Sequence, residues 1–145
     1  MLGQPELGLG ALPGAGGMQH LARLLGRGRA LEVILTSQDV DADLAERYGW
    51  INCALPDADL DELVATVAAR IASFPVDAIR TIKQVVNEVC LPRADAVRAD
   101  AARFQTLVRS GEVQDRTRRL FAEGFQTRGD VELDLGVRLA DLSRR

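Results

Sequence analysis

Gly3-Gln4-Pro5-Glu6, Leu7-Gly8-Leu9-Gly10-Ala11-Leu12 and Pro13-Gly14-Ala15-Gly16-Gly17 follow one another without a break, and a helical pattern starts directly after them. One carboxylate therefore stands ahead of a proline-started glycine turn that feeds a helix N-terminus. Glycines at such a corner let the backbone approach a ligand closely, and the free N–H groups of a helix start favour negative charge. The same glycines also serve a tight corner with no ligand, and a Glu after Pro also serves as a solvated surface residue. For catalysis Glu6 needs an apolar setting and a second group. Leu7, Leu9 and Leu12 supply the setting, and the next acidic residue is Glu32.

Two nucleotide readings fail on the residues. Gly14-Ala15-Gly16-Gly17-Met18-Gln19 has Gln19 where a dinucleotide fingerprint needs Gly or Ala. The one lysine, Lys83, follows Ile82 rather than Gly, so there is no phosphate-cradling Gly-Lys-Ser/Thr.

Outward from the turn, the pattern is helical. Met18, Leu21, Leu24 and Leu25 share a face, Gly26 and Gly28 mark a joint, and Arg29 to Thr36 is a second short run. A helix is expected over Asp41 to Tyr48, ended by Gly49. Trp50 to Leu55 reads as a short strand stopped by Pro56. Leu60, Leu63, Val64, Val67 and Ile71 then make a one-face stripe over Asp59 to Phe74, with Asp59 as the expected cap and Glu62 three positions on. Pro75 starts the next helix, which carries Ile79, Ile82, Val86 and Val89. Further helices are expected over 94–110, 113–125 and 130–142. The expected class is mostly α with one or two short strands. The stripes are narrow and the helices short, which predicts packing on a surface outside this sequence.

Composition excludes several functions. At 145 residues there is room for one domain with a core, and aromatics at 4% leave Leu, Val, Ile and Ala to fill it. Net charge is −3, with arginines spread among acids rather than gathered in a stripe, so no nucleic-acid partner is expected. No apolar run reaches the roughly 18–20 residues of a membrane span, and no basic segment precedes an apolar one at the N-terminus. A cytoplasmic protein is the expectation. Cys53 and Cys90 have no second Cys or His at metal-ligand spacing, and His20 is the only histidine, so no zinc site is expected. Both cysteines are expected to be packing residues.

Several of these motifs, in this order, resemble the enoyl-CoA hydratase/isomerase (crotonase) family. Gly3-Gln-Pro-Glu6, Leu9-Gly10 and Pro13-Gly-Ala-Gly-Gly17 resemble the segment carrying that family's second catalytic glutamate. Leu21-Ala-Arg-Leu-Leu-Gly26, Ala30-Leu-Glu-Val-Ile-Leu-Thr36 and Ala45 to Asn52 continue the likeness, as do Leu55-Pro56, Ile71-Ala72 and Pro75 to Lys83. The resemblance is colinear over residues 3 to about 90.

The resemblance implies an acyl-CoA thioester substrate, its oxygen held by two backbone amides that stabilise an enolate-like transition state. Two glutamates hold the water, one as base and the other delivering a proton to the α-carbon. Glu6 matches the second, Gly14 the glycine whose backbone approaches the reacting centre, and Leu12 and Pro13 the acyl-pocket lining. No cofactor is implied, because coenzyme A is part of the substrate. Residues 1–56 would be the end of the family's ββα spiral core, and 57–145 its C-terminal helical region, which builds trimers or hexamers. The first glutamate and both oxyanion amides match nothing here, so the expectation is an N-terminally incomplete chain, inactive alone. The alternatives are a non-catalytic helical interaction module, or an isomerase, decarboxylase or synthase of the same family. Met18-Gln19-His20 departs from the family's Thr-Gln-Arg, Ser37 replaces a Gly and Trp50 a Leu. His20 is read as a tolerated substitution and Lys83 as a surface or interhelical residue.

Overall fold

The computed structural model describes residues 1–142. Its stripes form eight α-helices among those residues: α1 (Gly17–Thr36), α2 (Ala42–Tyr48), α3 (Asp57–Ala72), α4 (Val76–Cys90), α5 (Ala94–Leu107), α6 (Gly111–Ala122), α7 (Asp130–Leu133) and α8 (Leu135–Leu142). A 3-10 turn at Pro5–Leu9 precedes them. The expected joint in the first helical pattern is a bend within α1, where Gly26 takes φ 75° and ψ 164°. Asp41 caps α2 by accepting from Leu44 N at 2.7 Å, and Gly49 ends it in the left-handed region at φ 77°.

The expected strand at Trp50 to Leu55 does not form, and no strand forms among the described residues. Its amide donors are consumed by the end of α2. Trp50 N bonds Ala45 O at 2.9 Å, and Ala54 N bonds a Glu46 carboxylate oxygen at 2.8 Å. What pairing occurs is an isolated antiparallel bridge between Leu2 and Val40, with N···O distances of 2.8 and 2.7 Å. The expected Asp59 cap is also displaced. Pro56 precedes α3, and Asp57 and Asp59 lie in its first turn, where their negative charge complements the positive end of the helix dipole. Cys53 is half-buried as a packing residue would be, whereas Cys90 ends α4 fully on the surface; both are free thiols.

Two apolar clusters hold the molecule. Leu21, Leu25, Ala30, Val33, Val40 and Ala45 form one, between α1 and α2, with Leu2 against it. Leu120, Val131, Leu139 and Leu142 form the other, from the C-terminal helices, with Leu9 against it. Leu2 and Leu9 thus tie the two ends of one short segment to different clusters, and Glu6 lies between them. At the α1–α2 joint, the Arg29 guanidinium lies 4.8 Å from the Tyr48 ring centre. The Tyr48 hydroxyl donates to Glu32, and this bond holds the phenol above its ordinary pKa. Helices α3 and α4 contribute no buried residue to either cluster. No helix among the described residues is long and apolar enough to cross a membrane.

Candidate active site

Pro5 opens the 3-10 turn with its fixed φ, and Gly10 closes it at φ 88°, a conformation that excludes most side chains. Gly10 N bonds Leu7 O at 2.8 Å, and Ala11 N bonds Glu6 O at 2.9 Å. This last bond closes the backbone from Glu6 to Ala11. The sequence pattern put a glycine-punctuated step here; the structure makes it a closed turn with Glu6 in its first residues.

The Glu6 carboxylate has one oxygen, Oε2, out of reach of solvent and without a hydrogen-bond partner in the chain. Gln4 Oε1 is in the same condition, while its Nε2 donates to Gly3 O at 3.0 Å. A buried acceptor left unpaired costs about 1–3 kcal/mol, so two such atoms two residues apart in one segment mark a place built for a donor. Gly17 makes room for this arrangement. A Cβ there would stand 2.0 Å from Gln4 Oε1 and 3.0 Å from Pro13 Cβ. The Gln4 amide, Pro13 and the start of α1 therefore converge.

Of the four residues singled out from the sequence, Glu6 and Leu12 are half-buried and Pro13 is fully buried. Gly14 is half-buried, and the space that its side chain would take is filled by Phe104 of α5, whose Cβ would lie 2.6 Å from an added Cβ. Val97 takes the same position over Gly16 at 3.3 Å. Helix α5 thus seats directly on the glycine turn. Asp100 fixes it there: buried, it accepts from Gln19 Nε2 of α1 at 3.0 Å and from Arg103 at 2.8 Å. His20, beside it in sequence, is exposed.

Sequence reasoning missed Gln4, Asp100, Phe104 and the residues that hold Gly8. Gly8 N bonds Ser37 Oγ at 3.0 Å, and Gly8 O accepts from Arg116 at 3.1 Å. Each partner is far away along the chain; Ser37 stands out in the sequence only as a replacement for a family glycine, and Arg116 belongs to no motif. Asp39 also borders the segment, but its Oδ2 accepts from Gly136 N at 3.0 Å and so anchors α8. No group of three or more metal-ligating side chains occurs among the described residues. Lys83 lies in an open recess of about 580 Å³ along one face of α4, with Arg80, Gln84, Asn87 and Glu88. One helix forms that recess and none of the residues around Glu6 reaches it, so it is surface relief rather than part of the site.

Comparison with known proteins gives the same picture along the chain. The family model described as enoyl-CoA hydratase/isomerase matches residues 1–128. A probable enoyl-CoA hydratase of Rhizobium meliloti is 40% identical over 107 residues, which is 72% of this chain and 41% of that protein. A short-chain-enoyl-CoA hydratase of Clostridium acetobutylicum is 41% identical over 85 residues, 59% of this chain and 33% of that one. A crystal structure from Streptomyces avermitilis, assigned as an enoyl-CoA hydratase, superimposes with a TM-score of 0.93 at 64% identity, covering 96% of this chain and 50% of that one. The chain spans between a third and a half of the length of these relatives.

Proposed function

From the premise that this chain belongs to the enoyl-CoA hydratase/isomerase family, we propose that it forms one part of an acyl-CoA thioester site and that Glu6 is a reacting carboxylate of that site. The reaction is reversible addition of water across a 2-enoyl-CoA. A carboxylate supplied by another part of the protein takes a proton from water as its oxygen bonds to C3. Glu6, protonated, gives its proton to C2 as the thioester enolate collapses. One water is consumed and a 3-hydroxyacyl-CoA results. The two carboxylates must differ in proton affinity for one to act as acid and the other as base.

The observation that supports this reading best is the buried, partnerless Glu6 Oε2 on a turn closed by Pro5 and Gly10. Leu12 and Pro13 flank the acyl chain, and the Gly14 backbone faces the reacting centre. No cofactor is needed beyond the coenzyme A that the substrate carries. Residues 1–56 are the end of a spiral core and 57–145, of which 143–145 lie outside the described residues, belong to a C-terminal region that assembles trimers through its helices, in the cytoplasm, where thiols such as Cys53 and Cys90 stay free. Oxyanion donors and the first glutamate come from polypeptide beyond these 145 residues, so the chain alone is inactive.

The test is a graft. The Streptomyces avermitilis protein, which matches 96% of this chain, receives this chain's residues in place of its matching segment, and hydration of a short 2-enoyl-CoA is followed by loss of the conjugated thioester absorbance. The graft hydrates, and Glu6→Gln in it lowers the rate by about 10²–10⁴, the range of a positioned acid or base. The isolated chain shows no hydration, since loss of even one oxyanion donor costs on the order of 10²–10³. An active graft indifferent to Glu6→Gln, or hydration by the isolated chain, refutes the corresponding part of the proposal.

A second reading is favoured by the apolar faces of α3 and α4. Val64, Ile71, Ile82 and Val86 are each about half exposed or more. On this reading the chain is a helical association module whose Glu6 segment is inert. The same graft distinguishes the two, because an inert segment leaves no dependence on Glu6. An isomerase, decarboxylase or synthase of the family would instead give a graft that binds acyl-CoA without hydrating it.

A further inference from the structure

We infer that Ser37 and Arg116 are positioning residues for Glu6: they hold the Gly8 backbone N–H and C=O, one each, and so set where the Glu6 carboxylate stands. The inference rests on the reading of Glu6 as a reacting group and adds the device that aims it. Gly8 lies within the 3-10 turn, two residues after Glu6. Its N–H donates to Ser37 Oγ at 3.0 Å, and its carbonyl accepts from Arg116 Nη1 at 3.1 Å. The third side is also occupied, since a Cβ at Gly8 would stand 2.6 Å from Leu139 Cβ of α8. One residue, through the peptide groups on either side of its Cα, is thus held by the end of α1, by α6 and by α8, from positions 29 and 108 residues away for the two polar contacts.

Both polar partners are built for the task. Ser37 is 6% exposed and sits in the left-handed region at φ 51°, where a non-glycine residue is uncommon. That conformation ends α1 and turns the hydroxyl inward. The Arg116 side chain is 19% exposed, and its guanidinium is also fixed by Glu112 at 3.1 Å. A short 3-10 turn has poor internal hydrogen bonding and little stiffness of its own. With Gly8 released, the turn would be free to rotate about Pro5 and Gly10 and to bring Glu6 Oε2 to solvent. Reacting groups must be held within fractions of an ångström of their productive place, and these two bonds supply that restraint where the turn cannot.

The experiment uses the whole chain and reads the position of Glu6 without turnover. The chain is labelled with ¹³C at glutamate carboxyls, the Glu6 resonance is assigned by its loss in Glu6→Gln, and its broadening by a neutral soluble paramagnet reports access to the carboxylate. Exchange of the Gly8 amide with solvent is followed in parallel. Ser37→Gly suits the left-handed backbone at this position and removes the hydroxyl together with its Cβ; Arg116→Gln shortens the reach to Gly8, and Arg116→Lys retains a charged donor. Ser37→Gly is expected to speed Gly8 exchange about tenfold, the factor one net hydrogen bond is worth, and to broaden the Glu6 resonance while the other glutamates stay unchanged. Arg116→Gln is expected to broaden Glu6 in the same way, and Arg116→Lys to restore it in part. In the graft described above, both weakening variants then lower kcat with KM held. A Glu6 resonance that keeps its protection in Ser37→Gly and Arg116→Gln, even with a lowered melting temperature, overturns the inference, because the bonds would then be structural only. A Glu6 that responds in the chain, joined to a graft indifferent to Glu6→Gln, leaves the restraint standing and defeats the reading of Glu6.

Discussion

Asp100 carries a charge into the interior at 2% exposure and is kept there by two donors. The donors differ in kind. Gln19 Nε2 is half-buried on α1 beside the glycine turn, whereas the Arg103 side chain is 65% exposed and so is solvated with or without its partner. Losing a buried acceptor's partner costs about 1–3 kcal/mol, and an exposed ion-pair partner contributes about 0–1 kcal/mol. Asp100→Ala is therefore expected to destabilise the chain by roughly 1–3 kcal/mol, and Arg103→Ala by much less, as measured by urea unfolding. Equal losses in the two variants would show that the ion pair rather than the Gln19 contact holds α5 in place. Nothing in the sequence marks Asp100. It is one acid among many on an Ala-rich helix, and its partner Gln19 is 81 positions away. Glu6 could be singled out because its neighbours form a colinear motif; the contacts of Ser37, Asp100 and Arg116 could not, because the signal that would reveal them is a contact and not a pattern.

At the scale of elements, what could be read was period and punctuation. The stripes of α3 and α4, the Gly49 stop and the break near Gly26 all follow from local chemistry, and the structure has them. The strand at Trp50 to Leu55 was misread for a physical reason. β-branched and aromatic residues before a proline have strand propensity, but propensity yields to whichever acceptors the amides reach first. Here those acceptors are Ala45 O and the Glu46 carboxylate at the end of α2. Gly26 gives the sharpest prediction at this scale. Its φ of 75° with ψ of 164° lies in a region essentially reserved for glycine, and nothing stands within 4 Å of the place a Cβ would take. Steric crowding by neighbours is thus absent, and any penalty on Gly26→Ala is backbone strain, of order 1–3 kcal/mol. Thermal unfolding should show that loss with Gly26→Ala and almost none with Gly28→Ala, where the space is equally open and the backbone is helical. A Gly26→Ala chain as stable as the parent would mean that α1 straightens at no cost.

For the molecule as a whole, the two clusters and the exposed helices carry different predictions. The N-terminal segment, α1, α2 and the C-terminal helices close around residues 2 to 17, which is where Glu6 and the glycine turn sit. Helices α3 and α4 stand apart, with Leu60, Val64, Val67, Ile71, Ile82, Val85, Val86 and Val89 all exposed. Apolar stripes at helical spacing are costly to leave in water, and a contiguous set of this kind marks an interaction face rather than scattered surface residues. If that face serves association and not the fold of this chain, polar substitutions on it should leave intrinsic stability nearly untouched. Ile82→Ser, at 63% exposure, is expected to change the unfolding free energy by no more than about 0.5 kcal/mol, whereas Leu120→Ala, at 0% exposure, should cost about 2–5 kcal/mol. Sedimentation over a range of concentrations should meanwhile show the parent chain associating and a Val64→Gln, Ile82→Ser, Val86→Gln variant remaining monomeric. If Ile82→Ser destabilised a monomeric chain as severely as Leu120→Ala, the stripes of α3 and α4 would be packed against this chain's own core. The association reading would then lose its footing, and with it the expectation that these helices seek a surface on other polypeptide.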